Sequence, residues 1–252
     1  MLFKEPAQQW AGFLLYICIP IVINYMNDVT IVIPAYKPVS LLKECIQSII
    51  DTAHMDSINV LVVCNGSDKE SAEYLLSLDH KNINFIWYKD ALGFTKAANI
   101  GLKHASTPYI VLLNTDVTFL TYAPRHEWVN QLINPLREDP QVSVTCAADM
   151  YAGGKLYFPF FCVGLQKSVL EKFNYLDEIF SPGYGEDIDF CFKTVNAGYK
   201  LQTVGSRVRD KENNRYITTF PAYHKGQGSF GEVGLNLAQR GHMIIHDRYF
   251  KQ

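Results

Sequence analysis

Val111-Leu112-Leu113-Asn114-Thr115-Asp116 is an apolar run that stops in Asn-x-Asp. A β-strand ending in a short acidic motif puts carboxylate oxygens at the carboxyl edge of a sheet, where α/β proteins bind their ligands. Hard oxygen donors there suit Mg2+ or Mn2+, and these cations in turn suit a diphosphate. Alone, Asn-x-Asp is an ordinary turn. Here it lies between Cys64-Asn65-Gly66-Ser67 upstream and Gly185-Glu186-Asp187-Ile188-Asp189 downstream, and the ordered set carries the reading.

Upstream of this stretch, strand and helix patterns alternate strictly. Val29 to Ile33 is a β-branched run ended by Pro34, and Asn59 to Val63 is a second strand closed by the Asn65-Gly66 turn. Ile83 to Tyr88 and Tyr109 to Leu113 are the third and fourth. Helices are expected over Leu41 to Ile50 (capped by Ser40), Glu70 to Leu78 and Thr95 to His104. Short connections between such units build a mostly parallel, Rossmann-like sheet with helices on both faces. Right-handed crossovers bring the loops after residues 33, 63 and 113 to one rim. After Asp116 the alternation weakens into a mixed second half. Helices are expected over Glu127 to Arg137, within Gly164 to Phe173, and over Asp187 to Asn196, where Gly198 is the stop signal. Val142 to Cys146 reads as a strand, and Arg207 to Arg215 as a solvated polar loop.

A chain of 252 residues holds one sizeable α/β domain or two small ones sharing a sheet. With 48% hydrophobic and 19% charged residues it is globular. The formal charge of −2 argues against a nucleic-acid partner, which calls for a basic face. An anionic small ligand stays open, because a divalent cation supplies positive charge locally. Six scattered cysteines include no Cys-x-x-Cys pair, and they read as reduced core residues of a cytoplasmic protein. Residues 1–26 are strongly apolar from Trp10 to Ile23 but broken by Gly12 and Pro20. That run is short for a membrane span. A peripheral membrane anchor, a packed accessory element and an upstream extension all remain open for it.

Six motifs carry candidate chemistry, and each has a plain structural alternative. Pro34-Ala35-Tyr36 after the first strand can cradle a base or ribose, or simply end the strand. Asn65 can meet both the carbonyls and the N–H of a uracil or thymine ring, or belong to an Asn-Gly turn. Gly93-Phe94-Thr95-Lys96 opens a helix whose free N–H groups suit a phosphate, with Lys96 as its ionic partner and Asn99 further along. Its alternative is a loop-to-helix junction in which Gly101 eases close packing. Asn114-Thr115-Asp116 offers Asp116 to a metal, with Asn114 beside it. Glu186 and Asp187 are either helix caps or a general base with an orienting neighbour, since an attacking hydroxyl must lose its proton. His224, between polar and glycine residues, is a candidate third metal ligand.

Together these motifs resemble family-2 glycosyltransferases of the GT-A fold, from Val29 to Ser229 and in the family's order. Asn65-Gly66-Ser67 is similar to the base-reading Asp/Asn-Gly-Ser turn. Gly93-Phe94 with Asn99-Ile100-Gly101 resembles the Gly-Phe…Asn-x-Gly segment. Asn114-Thr115-Asp116-Val117 resembles the Asn-Pro-Asp-Val form of the DxD motif in rhamnosyltransferase-like members. Leu176-Asp177-Glu178, Gly185-Glu186-Asp187-Ile188-Asp189 with Ala197-Gly198-Tyr199, and His224…Gly226…Ser229 resemble the later segments. The chain departs from the pattern in Cys64, where an acidic residue is frequent, in Lys193 where Arg is usual, and in an insertion around Arg207 to Arg215.

The resemblance implies a UDP- or dTDP-sugar donor, Mn2+ or Mg2+, and a carbohydrate or lipid-linked saccharide acceptor, as in polysaccharide biosynthesis. It makes Asp187 the inverting base, Asp116 the metal ligand and Asn65 the base reader. Residues 27–235 are then the catalytic domain, with a nucleotide-sugar half (27–120) and an acceptor half (121–235), and residues 236–252 a C-terminal tail. The implied location is the cytoplasm, at the inner face of a membrane if residues 1–26 anchor the chain. A nucleotidyltransferase should show a Gly-rich basic loop after strand one, and Ile33 to Pro38 is not one. An NAD(P)-binding oxidoreductase needs Gly-x-Gly-x-x-Gly there, which is absent. An inactive carbohydrate- or nucleotide-binding relative stays open, though it has no need of both Asp116 and Asp187.

Overall fold

The computed structural model describes residues 27–66, 69–205, 207–210, 215–226 and 233–251. The expectations for residues 1–26, Ser67 and Ser229 lie outside these residues. No helix among the described residues is long and apolar enough to cross a membrane.

The first half follows the alternation read from the sequence. β1 (Val29–Ala35), β2 (Ile58–Asn65), β3 (Ile83–Tyr88) and β4 (Tyr109–Leu113) are linked by α1 (Val39–Thr52), α2 (Lys69–Ser77) and α3 (Phe94–His104). β1 pairs in parallel with β2 on one side and β4 on the other, and β2 pairs in parallel with β3. Buried on both faces, β1 has no need of polar alternation, which explains its unbroken β-branched run. α1 starts after Pro38 with no side-chain cap, so Ser40 lies inside the helix and is not its cap. α3 lies close on the sheet at Gly101, where an added Cβ would stand 2.3 Å from Val32 Cγ1. Close packing is therefore the reason for that glycine.

The second half continues with β5 (Val117–Phe119), α4 (Glu127–Glu138), β6 (Val142–Cys146), the hairpin of β7 (Met150–Ala152) and β8 (Lys155–Tyr157), β9 (Cys162–Gln166), α5 (Lys167–Lys172) and α6 (Glu186–Asn196). β10 (Lys200–Thr203), β11 (Arg207–Asp210), β12 (Arg215–Thr218), β13 (Ala222–His224) and α7 (Gly234–Tyr249) complete it. The main sheet has seven strands in the order β10-β6-β9-β4-β1-β2-β3. Only β9 runs antiparallel to its neighbours, β4 and β6, giving the mixed second half. The five described cysteines are buried and free of disulfides.

Two further sequence expectations are corrected here. Arg207 to Arg215 is not a plain loop, because Arg207–Asp210 pairs antiparallel with Arg215–Thr218. Apolar and polar residues alternate along Arg207-Val208-Arg209, and a high local charge hid that strand period. The C-terminal tail is instead the helix α7, packed through Ile245 into the second core beside Phe180 and Ile188. It is anchored by a buried carboxylate. Asp189 is fully buried and accepts hydrogen bonds from Arg248 Nη1 at 2.6 Å and Tyr249 Oη at 2.8 Å. Lys193 Nζ stands 2.7 Å from its other oxygen, and Arg248 Nη2 reaches Asp177 at 2.9 Å. Lys193, where the sequence resemblance expects Arg, thus pairs with Asp189.

Gly101→Ala should lower stability by about 1–3 kcal/mol in urea unfolding, the usual range for overpacking a filled core. Val32→Ala in the same chain should recover part of that loss, because it removes the methyl that the new Cβ meets.

Candidate active site

The carboxyl ends of β1, β2 and β4 open on one cavity of about 870 Å3. Pro34 within the end of β1 and Tyr36 just after it border the cavity, with Asn65 at the end of β2, Gly93 and Phe94 at the start of α3, and Asn114, Thr115 and Asp116 after β4. Glu186, Asp187 and His224 face the same space. Asn65 is buried, and its Oδ1 accepts the backbone N–H of Leu92. Its amide N–H2 is left as the group able to meet a ligand.

β-sheet pairing brings Asp116 and His224 together. β13 runs antiparallel to β5, with His224 opposite Val117, the residue that follows Asp116. The imidazole Nε2 lies 3.3 Å from Asp116 Oδ2. The His224 ring stacks on Phe161 with centroids 4.3 Å apart, and Lys225 N–H donates to the Asp116 carbonyl at 3.0 Å. Lys225 Nζ pairs with Glu44 on α1, tying down the far side of the segment. The segment read as an insertion precedes β13, and His224 itself is held by the pairing of β13 with β5. Asn114 Oδ1 is buried beside Asp116 with no hydrogen-bond partner. A carboxylate, an imidazole and an unpaired amide oxygen fit a divalent cation of the Mg2+ or Mn2+ kind. Among the described residues no third carboxylate, histidine or cysteine joins them.

The acidic motif opens α6. Tyr184 and Gly185 have φ of 74° and 107°, a left-handed bend in which glycine is at ease, and the helix starts at Glu186. Glu186 is buried, with Oε2 3.5 Å from Thr95 Oγ1 on α3. Asp187 is half-buried, and its Oδ1 accepts the N–H of Ile188 at 2.8 Å. Burial pushes both carboxyls above the usual carboxylate range, and in Glu186 the adjacent Asp187 charge adds to it. Two neighbouring acids in one dry site do not ionise together easily, and the more exposed Asp187 is the one that yields its proton first.

Three expected donor residues lie off the cavity. Ala35 is buried in the core at the end of β1. Lys96 is on the exposed side of α3, because two residues beyond Phe94 turn the helix by about 200°. Asn99 braces the acceptor-side loop, donating to Leu176 O at 2.9 Å and accepting from Leu176 N–H at 3.0 Å. Gly93 also acts differently from the sequence reading. The backbone that approaches it is that of Pro182, whose carbonyl takes the Phe94 N–H, so that N–H is not free for a phosphate. Residues that the motifs did not announce complete the walls, namely Tyr157, Phe160 and Phe161 around β8 and β9, and Leu237, Ala238 and His242 on α7. The aromatic run Tyr157 to Phe161 was a visible signal for the first group. α7 gave none.

Known proteins agree with this architecture. The mannosyltransferase PcManGT from Pyrobaculum calidifontis, solved in complex with GDP-Man and Mn2+, superposes with a TM-score of 0.65 at 16% identity, covering 90% of this chain and 66% of that one. GalNAc-T7, solved with UDP, GalNAc and Mn2+, gives 0.60 at 13% identity over 72% of this chain and 43% of that one. These likenesses establish the GT-A fold. By sequence, the chain is 31% identical over 101 residues to the teichoic acid poly(glycerol phosphate) polymerase of Staphylococcus epidermidis, and 24% identical over 207 residues to the pre-mycofactocin glycosyltransferase of Mycobacterium tuberculosis. The matches cover 39% and 70% of this chain, but only 14% and 41% of those curated relatives. The family model of glycosyl transferase family 2 matches residues 30–172, more than half of the chain, and the chain belongs to that family.

Proposed function

We propose that this protein is an inverting glycosyltransferase that moves a sugar from a UDP- or dTDP-sugar to an acceptor hydroxyl, with Mn2+ or Mg2+ at Asp116 and His224 and with Asp187 as general base. The observation that carries the proposal is one cavity lined both by the Asp116–His224 pair and by the Asp187 carboxylate. Tyr36 and Pro34 border the nucleobase, and the Asn65 amide donates to a ring carbonyl. Asn114 and Thr115 lie with Asp116 along the diphosphate. The cation, when bound, neutralises charge that builds on the departing diphosphate. Asp187 takes the proton of the acceptor hydroxyl as that oxygen attacks the sugar carbon. Glu186, held against Thr95, orients the loop and the acceptor. A single displacement with one base inverts the anomeric centre.

Two observations on similar proteins support this reading. The solved complexes of PcManGT and GalNAc-T7 hold Mn2+ with GDP-Man or with UDP. A curated relative is named as a glycosyltransferase, the pre-mycofactocin glycosyltransferase, and on this reading the acceptor is a carbohydrate or a lipid-linked saccharide. The reaction is placed in the cytoplasm, at the inner membrane face for a lipid-linked acceptor.

Asp116→Ala should weaken UDP binding in the presence of Mn2+ by about tenfold or more, since loss of even an outer-shell partner of a metal costs about that much. Unchanged affinity in calorimetry would remove Asp116 from the metal site. Asp187→Asn should leave that affinity within about twofold while turnover of the UDP- or dTDP-sugar selected by a Mn2+ thermal-shift screen falls by about a hundredfold or more. Glu186→Gln should cost less. NMR of the product should show the anomeric configuration opposite to the donor, and retention would exclude the mechanism.

The pH dependence follows from burial. A base whose pKa is raised is protonated, and idle, until the pH climbs past that raised value. Turnover should therefore increase with pH along an acid limb that lies above the ordinary carboxylate value of about 4. A limb at that ordinary value would mean that a solvated carboxylate, and not Asp187, is the base.

A further inference from the structure

The donors for a divalent cation come from two segments of unequal anchorage. Asn114, Thr115 and Asp116 follow β4, which lies inside the main sheet between β1 and β9. His224 ends β13, a strand of three residues whose partner is the equally short β5. So short a ribbon has little stability of its own, and its ends must be held by the body of the protein. The first end is held by apolar packing. Phe220 is buried edge-on against Phe119, which stacks on Trp128 with centroids 3.7 Å apart. Leu120 N–H also donates to Pro221 O at 2.9 Å.

The end that carries His224 is held by different means. Among the described residues its side-chain ties, apart from Asp116 itself, are the Phe161 ring against His224 and the Glu44 carboxylate at Lys225. Glu44 stands on α1 next to Cys45, whose thiol donates to the Asn114 carbonyl at 3.7 Å. Adjacent residues of one helix therefore reach both segments that supply the cation site. Neither Glu44 nor Lys225 borders the cavity. Their side chains are 50% and 25% exposed, so the pair adds little to the stability of the whole fold. What it fixes is the place of Lys225, whose backbone N–H binds the Asp116 carbonyl and whose neighbour is His224.

Resting on the reading of Asp116 and His224 as the cation site, we propose that Glu44 is a positioning residue for it, acting through Lys225. The ion pair keeps the end of β13 against α1, and the imidazole is thereby kept where one cation meets both it and Asp116. The pair itself touches neither cation nor nucleotide. Its effect differs from that of a charge acting through space. The field of Glu44 alone would oppose the anionic Mn2+–UDP complex, and that of Lys225 would favour it. Removing the two charges one at a time would then shift affinity in opposite directions. A positioning pair instead gives losses of the same sign and similar size from either removal, and no added loss from both.

The test is calorimetry of UDP binding to the full chain, with Mn2+ and with EDTA in its place. Wild type is compared with Glu44→Gln, Lys225→Met, the double variant, Lys225→Arg and Asp116→Ala. Direct outer-shell partners of a metal are worth about tenfold or more, so one step further out Glu44→Gln should weaken Mn2+–UDP binding by about threefold or more. Lys225→Met and the double variant should lose the same factor, and Lys225→Arg, which keeps the ion pair, should bind as wild type does. Binding without the metal should not change in any of these four. Opposite shifts in Glu44→Gln and Lys225→Met would reveal a field effect and overturn the proposal, as would unchanged Mn2+–UDP affinity in both. Equal losses with and without Mn2+ would reveal a loosened fold and overturn it too. If Asp116→Ala keeps full Mn2+–UDP affinity, the cation-site reading fails and takes the proposal with it. If Asp116→Ala loses that affinity and Glu44→Gln does not, the proposal alone fails.

Discussion

The structure depends on β1 being paired in parallel on both sides, with β2 and with β4. A parallel strand cannot turn back directly, so each neighbour must return through a helix on a face of the sheet. The carboxyl ends of the three strands then open at one edge, and the segments that follow them share one cavity. The pairing leaves β1 no free edge, the helices packed on the sheet leave it no exposed face, and α3 lies so close that Gly101 is the residue that fits against Val32. Fold and donor-side geometry are thus consequences of one arrangement of hydrogen bonds.

On the acceptor side the ordering element is a buried charge. Three acids in the first turn of α6 point in different directions because each residue turns a helix by about 100°. Glu186 meets Thr95 on α3, Asp187 faces the cavity, and Asp189 is buried against α7. A buried carboxylate must be paired, and here Lys193, Arg248 and Tyr249 pair it. The result is a clamp holding α7 to the left-handed bend before Glu186. A loop that needs positive φ at Tyr184 and Gly185 is kept in that form by contacts on both sides, Pro182 against Gly93 and Gly241 against Tyr184.

The metal-side pair shows how an antiparallel edge can be used for chemistry. β5 is only a short strand, but it follows Asp116 directly and pairs with β13. His224 reaches the carboxylate through register, and Phe161 sets the plane of its ring. Residues far apart in the chain therefore meet through backbone hydrogen bonds, and the length of the segment between them matters little.

What the sequence by itself determined is the local pattern and the motifs that end it. Alternating apolar strands and amphipathic helices were legible from Val29 to Leu113, because the periods of two and 3.6 are properties of the backbone. The placing of Asp116, Asn65 and Asp187 at one cavity was legible because the ordered set of motifs falls at strand ends and a helix start, which α/β topology brings to one rim. Lys96 and Asn99 were misplaced for the converse reason: proximity to Gly93 in sequence does not say which way a helix side faces. Asn99 reaches across to Leu176, a partner no local pattern reveals. Tertiary structure alone decided that β9 enters the sheet antiparallel, that His224 meets Asp116, and that the supposed tail is the helix that brings His242 to the cavity. Each depends on pairing or ionic contact between distant segments, and such contacts leave no period in the sequence to be read.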